Sequence, residues 1–311
     1  MKLINDDYSI SPELALSSAL QRTLAMVSPN PTSSAFSEYA RHFSDRVLFQ
    51  ACDIGEEFLV NSSLSPYSSE AISSIAGFFS ESIEASVALN GLEGRDHGTE
   101  VELPGPRHHT LQTIIDRRES SRRFGDEPVA LAALADILFA ASGITHQIRT
   151  QTSNGRSFNV LARGVPSAGA LYPIDCYVGA LNVLGLERGV YQYEPRSHRL
   201  LSIHEGVDAG DMAEAFGTTQ FAPGAALFMV FVGNYHKVYE KYGPRSARFL
   251  LLETGMTSMA ATLASVETGL GCLDFQAYRD QKLHELLCLN HASRYALHVL
   301  FIGYPNEKRT I

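Results

Sequence analysis

The chain has 311 residues, of which 45% are hydrophobic and 19% charged, and its formal net charge is −9 at pH 7. These values are ordinary for a globular protein and leave room for one large domain or two modest ones. The acidic balance argues against nucleic-acid binding, which needs a basic surface, and no apolar run approaches the roughly 18 residues of a membrane span.

The chain starts without the basic region and apolar core of a signal peptide, so a cytoplasmic protein is expected. Its cysteines and histidines lack the spacing of a metal site, and none is predicted. The negative charge lies in the first third. Residues 1–106 contain 5 Lys and Arg against 15 Asp and Glu, whereas residues 107–311 contain 20 against 19.

This change in charge coincides with Pro104-Gly105-Pro106, a linker signal. We therefore predict an acidic, largely helical N-terminal region of unknown role over residues 1–106, followed by a second domain over 107–311. Within the first region, apolar periodicity predicts a helix over residues 68–89.

Helical and strand patterns alternate after residue 107, as in an α/β or α+β domain of about 200 residues. A helix over 110–118 should turn Leu111, Ile114 and Ile115 inward. The longest helix, over 246–268, has apolar residues at spacings of three and four. The remaining predictions are a helix over 129–143, a polar loop over 145–164, and strands over 176–183, 189–195, 198–206, 226–235 and 296–304.

Residues 165–177, VPSAGALYPIDCY, place four small residues between two prolines, directly before a predicted strand. These small residues are Ser167, Ala168, Gly169 and Ala170. Either two backbones pack closely here, or a flat ligand needs access to backbone amides. The residues by themselves allow both interpretations.

The stretch RRESSRRF, residues 117–124, carries Arg118, Ser120 and Arg122 at alternate positions. In an extended segment these three side chains point the same way and form a phosphate-sized site. In a helix, Arg118 and Arg122 still share a face. The alternative is a solvated basic turn at the C-terminus of a helix.

Lys241 and Tyr242 stand directly before the Gly243-Pro244 turn that precedes the longest helix. A lysine ammonium near a phenol favours the phenolate and lowers the tyrosine pKa, so such a pair can move a proton. The alternative is a solvated lysine beside a packed tyrosine. Glycine motifs for dinucleotides, Walker motifs and hydrolase elbows are absent from the sequence.

Taken in order, these stretches resemble the nitroreductase superfamily of flavin enzymes, and within it the SagB-type azoline dehydrogenases of thiazole/oxazole-modified peptides. Two further stretches, KYGPRSARFLLLETG and GLGCLDFQAYRD, match as well. The resemblance covers roughly residues 108–305. It implies an α+β fold with a central mixed, mainly antiparallel sheet flanked by helices, in an intertwined homodimer with FMN at the subunit interface.

The resemblance also implies roles for individual residues. The FMN phosphate would be held by Arg118, Ser120, Arg122, Lys308 and Arg309, and the ribityl chain or ring would be contacted by Ser167, Ala168 and Gly169. Backbone amides at Gln276 and Ala277 would approach the flavin N5 region, and Lys241 and Tyr242 would handle the proton. Glu119 departs from the family pattern by placing an acid beside the expected phosphate site.

The function that the resemblance implies is FMN-dependent oxidation of thiazoline or oxazoline rings in a precursor or carrier-bound peptide. The expected partners are this azoline-containing peptide and a cyclodehydratase or synthetase complex. Two alternatives stay open: an NAD(P)H-dependent FMN reductase of nitro compounds or quinones, and a flavin-free scaffold subunit of a peptide-modifying complex.

Overall fold

The computed structural model describes residues 54–63, 109–151, 155, 157–217, 222–289 and 293–306. The predicted helix over 68–89 and the predicted boundary at Pro104 to Pro106 lie outside these residues. Among the described residues, one helical stretch, Tyr235–Glu267, is long and apolar enough to cross a membrane, with a mean hydropathy of 1.3. The most apolar 18 residues of this stretch are 56% buried inside the protein, and core helices can be equally long and apolar.

The described part of the chain contains seven α-helices and ten β-strands. The helices are α1 (Ile54–Asn61), α2 (Thr110–Arg117), α3 (Leu131–Ser142), α4 (Ala209–Phe216), α5 (Tyr235–Tyr242), α6 (Ser246–Glu267) and α7 (Asp280–Leu286). The strands are β1 (Val129–Ala130), β2 (Ile144–Gln151), β3 (Ser157–Arg163), β4 (Ile174–Ala180), β5 (Val183–Leu184), β6 (Gly189–Glu194), β7 (Arg199–Glu205), β8 (Leu227–Asn234), β9 (Gly271–Phe275) and β10 (Arg294–Gly303).

Six strands form one sheet in the order β7-β6-β4-β8-β10-β9, and all neighbouring pairs in it are antiparallel. The short strands β1 and β5 pair in parallel outside this sheet. Strand β8 is buried along all but its last residue, which confirms the prediction of a strand covered on both faces. The predicted α+β class with a mainly antiparallel sheet is confirmed.

Side chains of β8 alternate between two hydrophobic cores, one on each face of the sheet. The first core contains Leu227, Met229 and Phe231 together with residues of α1, α3 and α6. The second core contains the intervening residues of β8 and residues of α4 and α7. Helices therefore cover both faces, because a strand that is apolar on both sides must be kept from water on both.

Helix α1 is the described piece of the acidic N-terminal region, and it packs on residues of the predicted second domain. Leu59 is buried in the first core. The Tyr295 hydroxyl donates a hydrogen bond to Glu56 Oε1 at 2.9 Å. This part of the first region thus contributes to the same core as the sheet.

Helix α6 buries a face that is rich in small and hydroxylated side chains. The buried residues are Ser246, Ala247, Leu250, Glu253, Thr254, Thr257, Ser258, Ala261, Thr262, Ser265 and Val266. Three of its large apolar residues, Leu252, Met256 and Met259, are 63%, 40% and 52% exposed. The apolar periodicity thus predicts the helix correctly, but these three residues lie on the outer face.

Two predictions about local structure are wrong. Leu111 and Ile115 of α2 do not point inward but are half exposed, because the short helix turns its apolar side away from the core. The predicted polar loop over 145–164 instead contains the antiparallel pair β2 and β3. This pair lies outside the main sheet and β2 buries none of its residues, so it lacks the alternation of apolar and polar residues that marks a half-buried strand.

Candidate functional site

The small residues before β4 form a tight turn. Ala170 N donates to Ser167 O at 3.1 Å, and Tyr172 N donates to Ser167 Oγ at 2.8 Å. Gly169, Ala170 and Tyr172 have φ angles of 62°, 55° and 47°. Two of these are not glycine and are strained in the left-handed region, so neighbouring groups must hold the turn in place.

The turn lies against Lys241 and Tyr242, the last two residues of α5. A Cβ atom added to Gly169 would be 2.5 Å from Lys241 Nζ and 2.7 Å from Tyr242 Oη, so only glycine leaves room for both groups. Lys241 Nζ is 5.3 Å from the centre of the Tyr242 ring. The structure therefore brings together two groups of predicted site residues that are far apart in the sequence.

Tyr172 is held in its strained conformation from two further elements. Lys237 Nζ of α5 donates to Tyr172 O at 2.8 Å. Arg163 of β3 donates its backbone N–H to Tyr172 Oη at 3.1 Å, and its guanidinium carbon is 4.8 Å from the ring centroid. These contacts fix the C-terminal end of the turn.

Glu253 of α6 lies beside the N-terminal end of the turn and is 3% exposed. Its Oε2 has no hydrogen-bond partner among the described residues. Burial raises the pKa of Glu253 to about 7, although the nearby Ser167 hydroxyl and the charges of Arg163 and Lys237 act against the rise. Sequence reasoning missed this residue.

The sequence does contain a signal for Glu253, because this residue is the only charged one between Arg248 and Glu267 of the longest helix. A single acid inside an apolar helical pattern points to a buried carboxyl group with a specific neighbour.

A cavity of about 370 Å³ is lined by residues of α6, β9 and β10 and by Arg118. Thr254 lines it, is 4% exposed, and has a hydroxyl oxygen without a hydrogen-bond partner among the described residues. A buried hydroxyl of this kind costs about 1–3 kcal/mol unless something bonds to it. The volume is in the range of small-molecule sites, so the cavity is suited to a ligand with polar atoms.

Asp274 and His298 form a hydrogen-bonded pair at this cavity, with 2.8 Å between Oδ1 and Nε2. The hydrogen bond from His298 lowers the pKa of Asp274, and the Arg118 charge adds to the effect. The Gln276 side chain also hydrogen-bonds to the His298 ring. Sequence reasoning did not single out Asp274 or His298.

The predicted phosphate segment, residues 117–124, is extended at Arg118 and Ser120, which is one of the two conformations that its sequence allows. Arg118 follows the end of α2 with φ −67° and ψ 119°, and Ser120 pairs with Cys272 in a parallel bridge. Arg118 lines the cavity, whereas Ser120 and Arg122 are not among its lining residues. Glu119 is exposed.

The other predicted cofactor residues are divided between two places. Gln276 lines the same cavity as Arg118, and Ala277 is exposed next to it. Ser167, Ala168 and Gly169 belong to the turn beside Lys241 and Tyr242, and none of these five lines the cavity. Lys308 and Arg309 lie outside the described residues.

Comparison with known proteins identifies the family. Residues 115–304 match the nitroreductase family, and this is more than half of the chain. The chain therefore belongs to the nitroreductase family and is an oxidoreductase of that family.

Two relatives agree with this assignment. MJ1384 of Methanocaldococcus jannaschii, which is named as a nitroreductase, is 31% identical over 188 residues, 60% of this chain and 89% of that protein. The microcin B17-processing protein McbC of Escherichia coli is 29% identical over 161 residues, 48% of this chain and 57% of McbC. The chain thus spans just over half the length of McbC. The match to McbC supports the resemblance to the SagB-type branch.

Solved structures show the same fold. A chain of the E. coli microcin synthetase McbBCD complex, solved with truncated pro-MccB17 bound, matches with a TM-score of 0.59 and 20% identity, covering 90% of this chain and 100% of that chain. A Ralstonia eutropha structure named as a nitroreductase matches with a TM-score of 0.52 and 24% identity, covering 66% and 89%. The predicted nitroreductase-like fold is confirmed.

A pair of isosteric substitutions tests whether the Thr254 hydroxyl lacks a partner until a ligand binds. Thr254→Val should leave the free energy of unfolding of ligand-free protein unchanged or raise it by up to about 1 kcal/mol. Thr257→Val is the matched control, because Thr257 Oγ1 donates to Glu253 O at 2.7 Å. It should lower the free energy of unfolding by about 1 kcal/mol. Denaturant unfolding measures both, and an equal loss in the two variants would contradict the assignment.

Proposed function

We propose that the chain is an FMN-dependent azoline dehydrogenase that oxidises thiazoline or oxazoline rings of a peptide to thiazole or oxazole. The observation that carries the proposal is the contact of Gly169 with Lys241 Nζ and Tyr242 Oη. It places the Lys241–Tyr242 pair, which can accept or donate a proton, next to residues 167–170, whose side chains are small. Bulky residues at these positions would leave no room for a planar ring beside the pair.

FMN fits the chemistry of the cavity. Arg118 offers a guanidinium fork suited to phosphate oxygens, and the Thr254 hydroxyl has a hydrogen bond to give or accept. The Asp274 carboxylate is paired with His298, which reduces its repulsion of a nearby phosphate. When bound, FMN supplies the acceptor for a hydride, and dioxygen is the proposed final oxidant.

Tyr242 is the proposed base. Its phenolate oxygen takes the proton from one carbon of the azoline, while the hydride leaves from the adjacent carbon. The ring thereby loses two hydrogens and becomes aromatic. Lys241 Nζ lies 5.3 Å from the centre of the Tyr242 ring, and its positive charge is proposed to offset the negative charge of this base.

The division of the site supports a homodimer. The predicted cofactor residues Arg118 and Gln276 lie at the cavity, and the Lys241–Tyr242 pair lies outside its lining. The outer face of α6 leaves Leu252, Met256 and Met259 exposed. We propose that a second copy covers this face and completes the site, since burying each such side chain stabilises by about 1.5–3 kcal/mol.

The proposed substrate and partners are an azoline-containing peptide and a synthetase or cyclodehydratase complex. The support is the likeness to McbC, which is named for processing microcin B17, and to a chain of the McbBCD complex. The second candidate function, NAD(P)H-dependent reduction, is supported by the 31% identity to MJ1384.

Substitution of the Lys241–Tyr242 pair tests the proposed chemistry. Tyr242→Phe and Lys241→Ala should keep the yellow colour of bound FMN yet lower the rate of azole formation by about 10²–10⁴-fold, the usual contribution of a proton-transferring residue. Mass spectrometry follows azole formation as a loss of two hydrogens per ring. Tyr191→Phe and Lys282→Ala are matched controls on β6 and α7, and both should keep wild-type rates.

Retained azole formation in both Tyr242→Phe and Lys241→Ala would overturn the mechanism. Rapid bleaching of the flavin by NAD(P)H without oxygen, together with no azole formation by the wild type, would favour the reductase. A protein that stays colourless after incubation with FMN would favour the scaffold role.

Two glycine substitutions separate the contact at Gly169 from backbone strain. Gly169 and Gly185 both have positive φ, but a Cβ at Gly185 meets no atom within 4 Å. Gly169→Ala and Gly185→Ala should therefore cost similar stability, about 1–2 kcal/mol. Only Gly169→Ala should lower the rate of azole formation, by about 10²-fold, because it displaces Lys241 and Tyr242. Equal rates in the two variants would show that the contact is unimportant.

Charged substitutions on the outer face of α6 test the homodimer. The double variant Leu252→Glu/Met256→Glu should sediment as a monomer and lose bound FMN, because two carboxylates cannot be buried in an apolar interface. Leu201→Glu is the control, since Leu201 on β7 is 48% exposed and lies outside α6. A monomeric wild type, or a double variant that stays dimeric with its flavin, would contradict the proposal.

A further inference from the structure

Helix α1 packs against both ends of α5, the helix that carries Lys241 and Tyr242. A Cβ atom added to Gly55 of α1 would lie 2.5 Å from Tyr235 Oη and 2.5 Å from Pro244 O. Tyr235 is the first residue of α5, and Pro244 lies two residues beyond its last, Tyr242. Because atoms that are not bonded do not approach this closely, only glycine lets α1 lie so near to α5.

Two further contacts hold α1 next to this point. The Glu56 carboxyl group is buried and accepts a hydrogen bond from the Tyr295 hydroxyl at 2.9 Å. Leu59 is buried in the first core. A shift of α1 therefore either breaks these contacts or moves Pro244 together with the helix.

The backbone between Pro244 and Tyr242 is short and hydrogen-bonded on both sides. The Gly243 amide donates to Tyr239 O, and Gly243 O accepts from the Ser246 amide. The Ser246 hydroxyl also donates to Gly243 O at 2.7 Å. Since one residue separates Pro244 from Tyr242, a displacement of Pro244 reaches Tyr242 instead of being absorbed by a loop.

The surroundings of Tyr242 leave little room for such a displacement. Its ring centre is 4.7 Å from that of Phe249 on α6, in an edge-to-face arrangement. Its hydroxyl lies against Gly169, where an added Cβ would be 2.7 Å away. Tyr242 thus has contacts on two sides, and the position of Pro244 decides how these contacts are met.

We propose that α1 is a positioning element for the Lys241–Tyr242 pair and that Gly55 is its positioning residue, acting through Pro244. The task of the pair rests on the proposed function, whereas the link from α1 to α5 rests on geometry alone. The acidic N-terminal region would then supply part of the support of the site through α1.

Hydrogen exchange of the Gly243 and Ser246 amides tests the link without substrate. In Gly55→Ala, the added Cβ pushes α1 and Pro244 apart, so the protection of these two amides relative to those of β8 should fall by about tenfold. Gly210→Ala is the matched control, since Gly210 also lies in the first turn of an eight-residue helix, α4. The nearest atom to a Cβ there is Asp208 Oδ1 at 3.0 Å, so this variant should exchange as the wild type does.

Kinetics test the positioning role. Gly55→Ala should keep bound FMN and lower kcat for azole formation by about 10²-fold, the cost of misplacing a catalytic group by about 1 Å. KM should stay the same, because Gly55 is not among the residues that line the cavity. In a Tyr242→Phe background, Gly55→Ala should cause no further loss, since the group that it misplaces is already gone.

A second pair of variants serves where Gly55→Ala does not fold. Leu59→Ala loosens α1 without crowding Pro244 and should lower both the amide protection and kcat by about tenfold. Leu286→Ala is its control, because Leu286 ends α7 and is buried to a similar extent, 7% against 5% exposed, in the second core. It should keep wild-type protection at both amides and wild-type kcat.

Wild-type protection and wild-type kcat in Gly55→Ala would overturn the inference. An equal loss of rate from Gly55→Ala with and without Tyr242→Phe, or equal effects of Leu59→Ala and Leu286→Ala, would overturn it as well. Loss of protection in Gly55→Ala, together with a wild type that forms no azole, refutes the proposed function and leaves the link from α1 to α5 intact.

Discussion

The packing of α6 against α3 and the sheet is the constraint on which the rest of the structure depends. Strand β8 is apolar on both faces, so helices must cover both. Small and hydroxylated side chains on the buried face of α6 let the helix approach the sheet closely, and Leu252, Met256 and Met259 remain on its outer face. The packing of α6 therefore determines which of its side chains line the cavity and which lie on the surface that is proposed to contact a second copy.

The same packing places polar groups where water cannot reach them. Glu253 and Thr254 are neighbours on α6, and each keeps an oxygen without a partner among the described residues. Such groups reduce stability unless another group bonds to them. Thr254 lines the cavity beside Arg118, and the Glu253 carboxyl group is under the influence of Arg163 and Lys237, the two residues that bond to the turn. Adjacent residues of one helix thus face the two separate parts of the candidate site.

The chemistry for which the cavity and the turn are suited agrees with the family to which the chain belongs. Nitroreductase-family membership is shown by the match over residues 115–304. The proposed azoline oxidation adds a requirement for a positioned base and an open space next to it. The contact of Gly169 with Lys241 and Tyr242 meets that requirement at the expense of a strained turn. Hydrogen bonds from Lys237 and Arg163 to Tyr172 hold this turn in place.

The sequence by itself determined the elements whose patterns are strong and local. The buried strand β8, the long helix α6, the pairing of β6 with β7, and the adjacency of Lys241 and Tyr242 before the turn at Gly243 all follow from periodicity and adjacency. Only the tertiary structure decided which face of α6 is buried, because periodicity shows that a helix has an apolar side without showing what covers it. It also decided that Gly169 meets Lys241 and that Lys237 bonds to Tyr172, since contacts between distant segments depend on how the helices and the sheet pack. The alternate pattern of Arg118, Ser120 and Arg122 predicted one shared site, yet only Arg118 lines the cavity, because alternation along an extended segment does not show which other elements each side chain will meet.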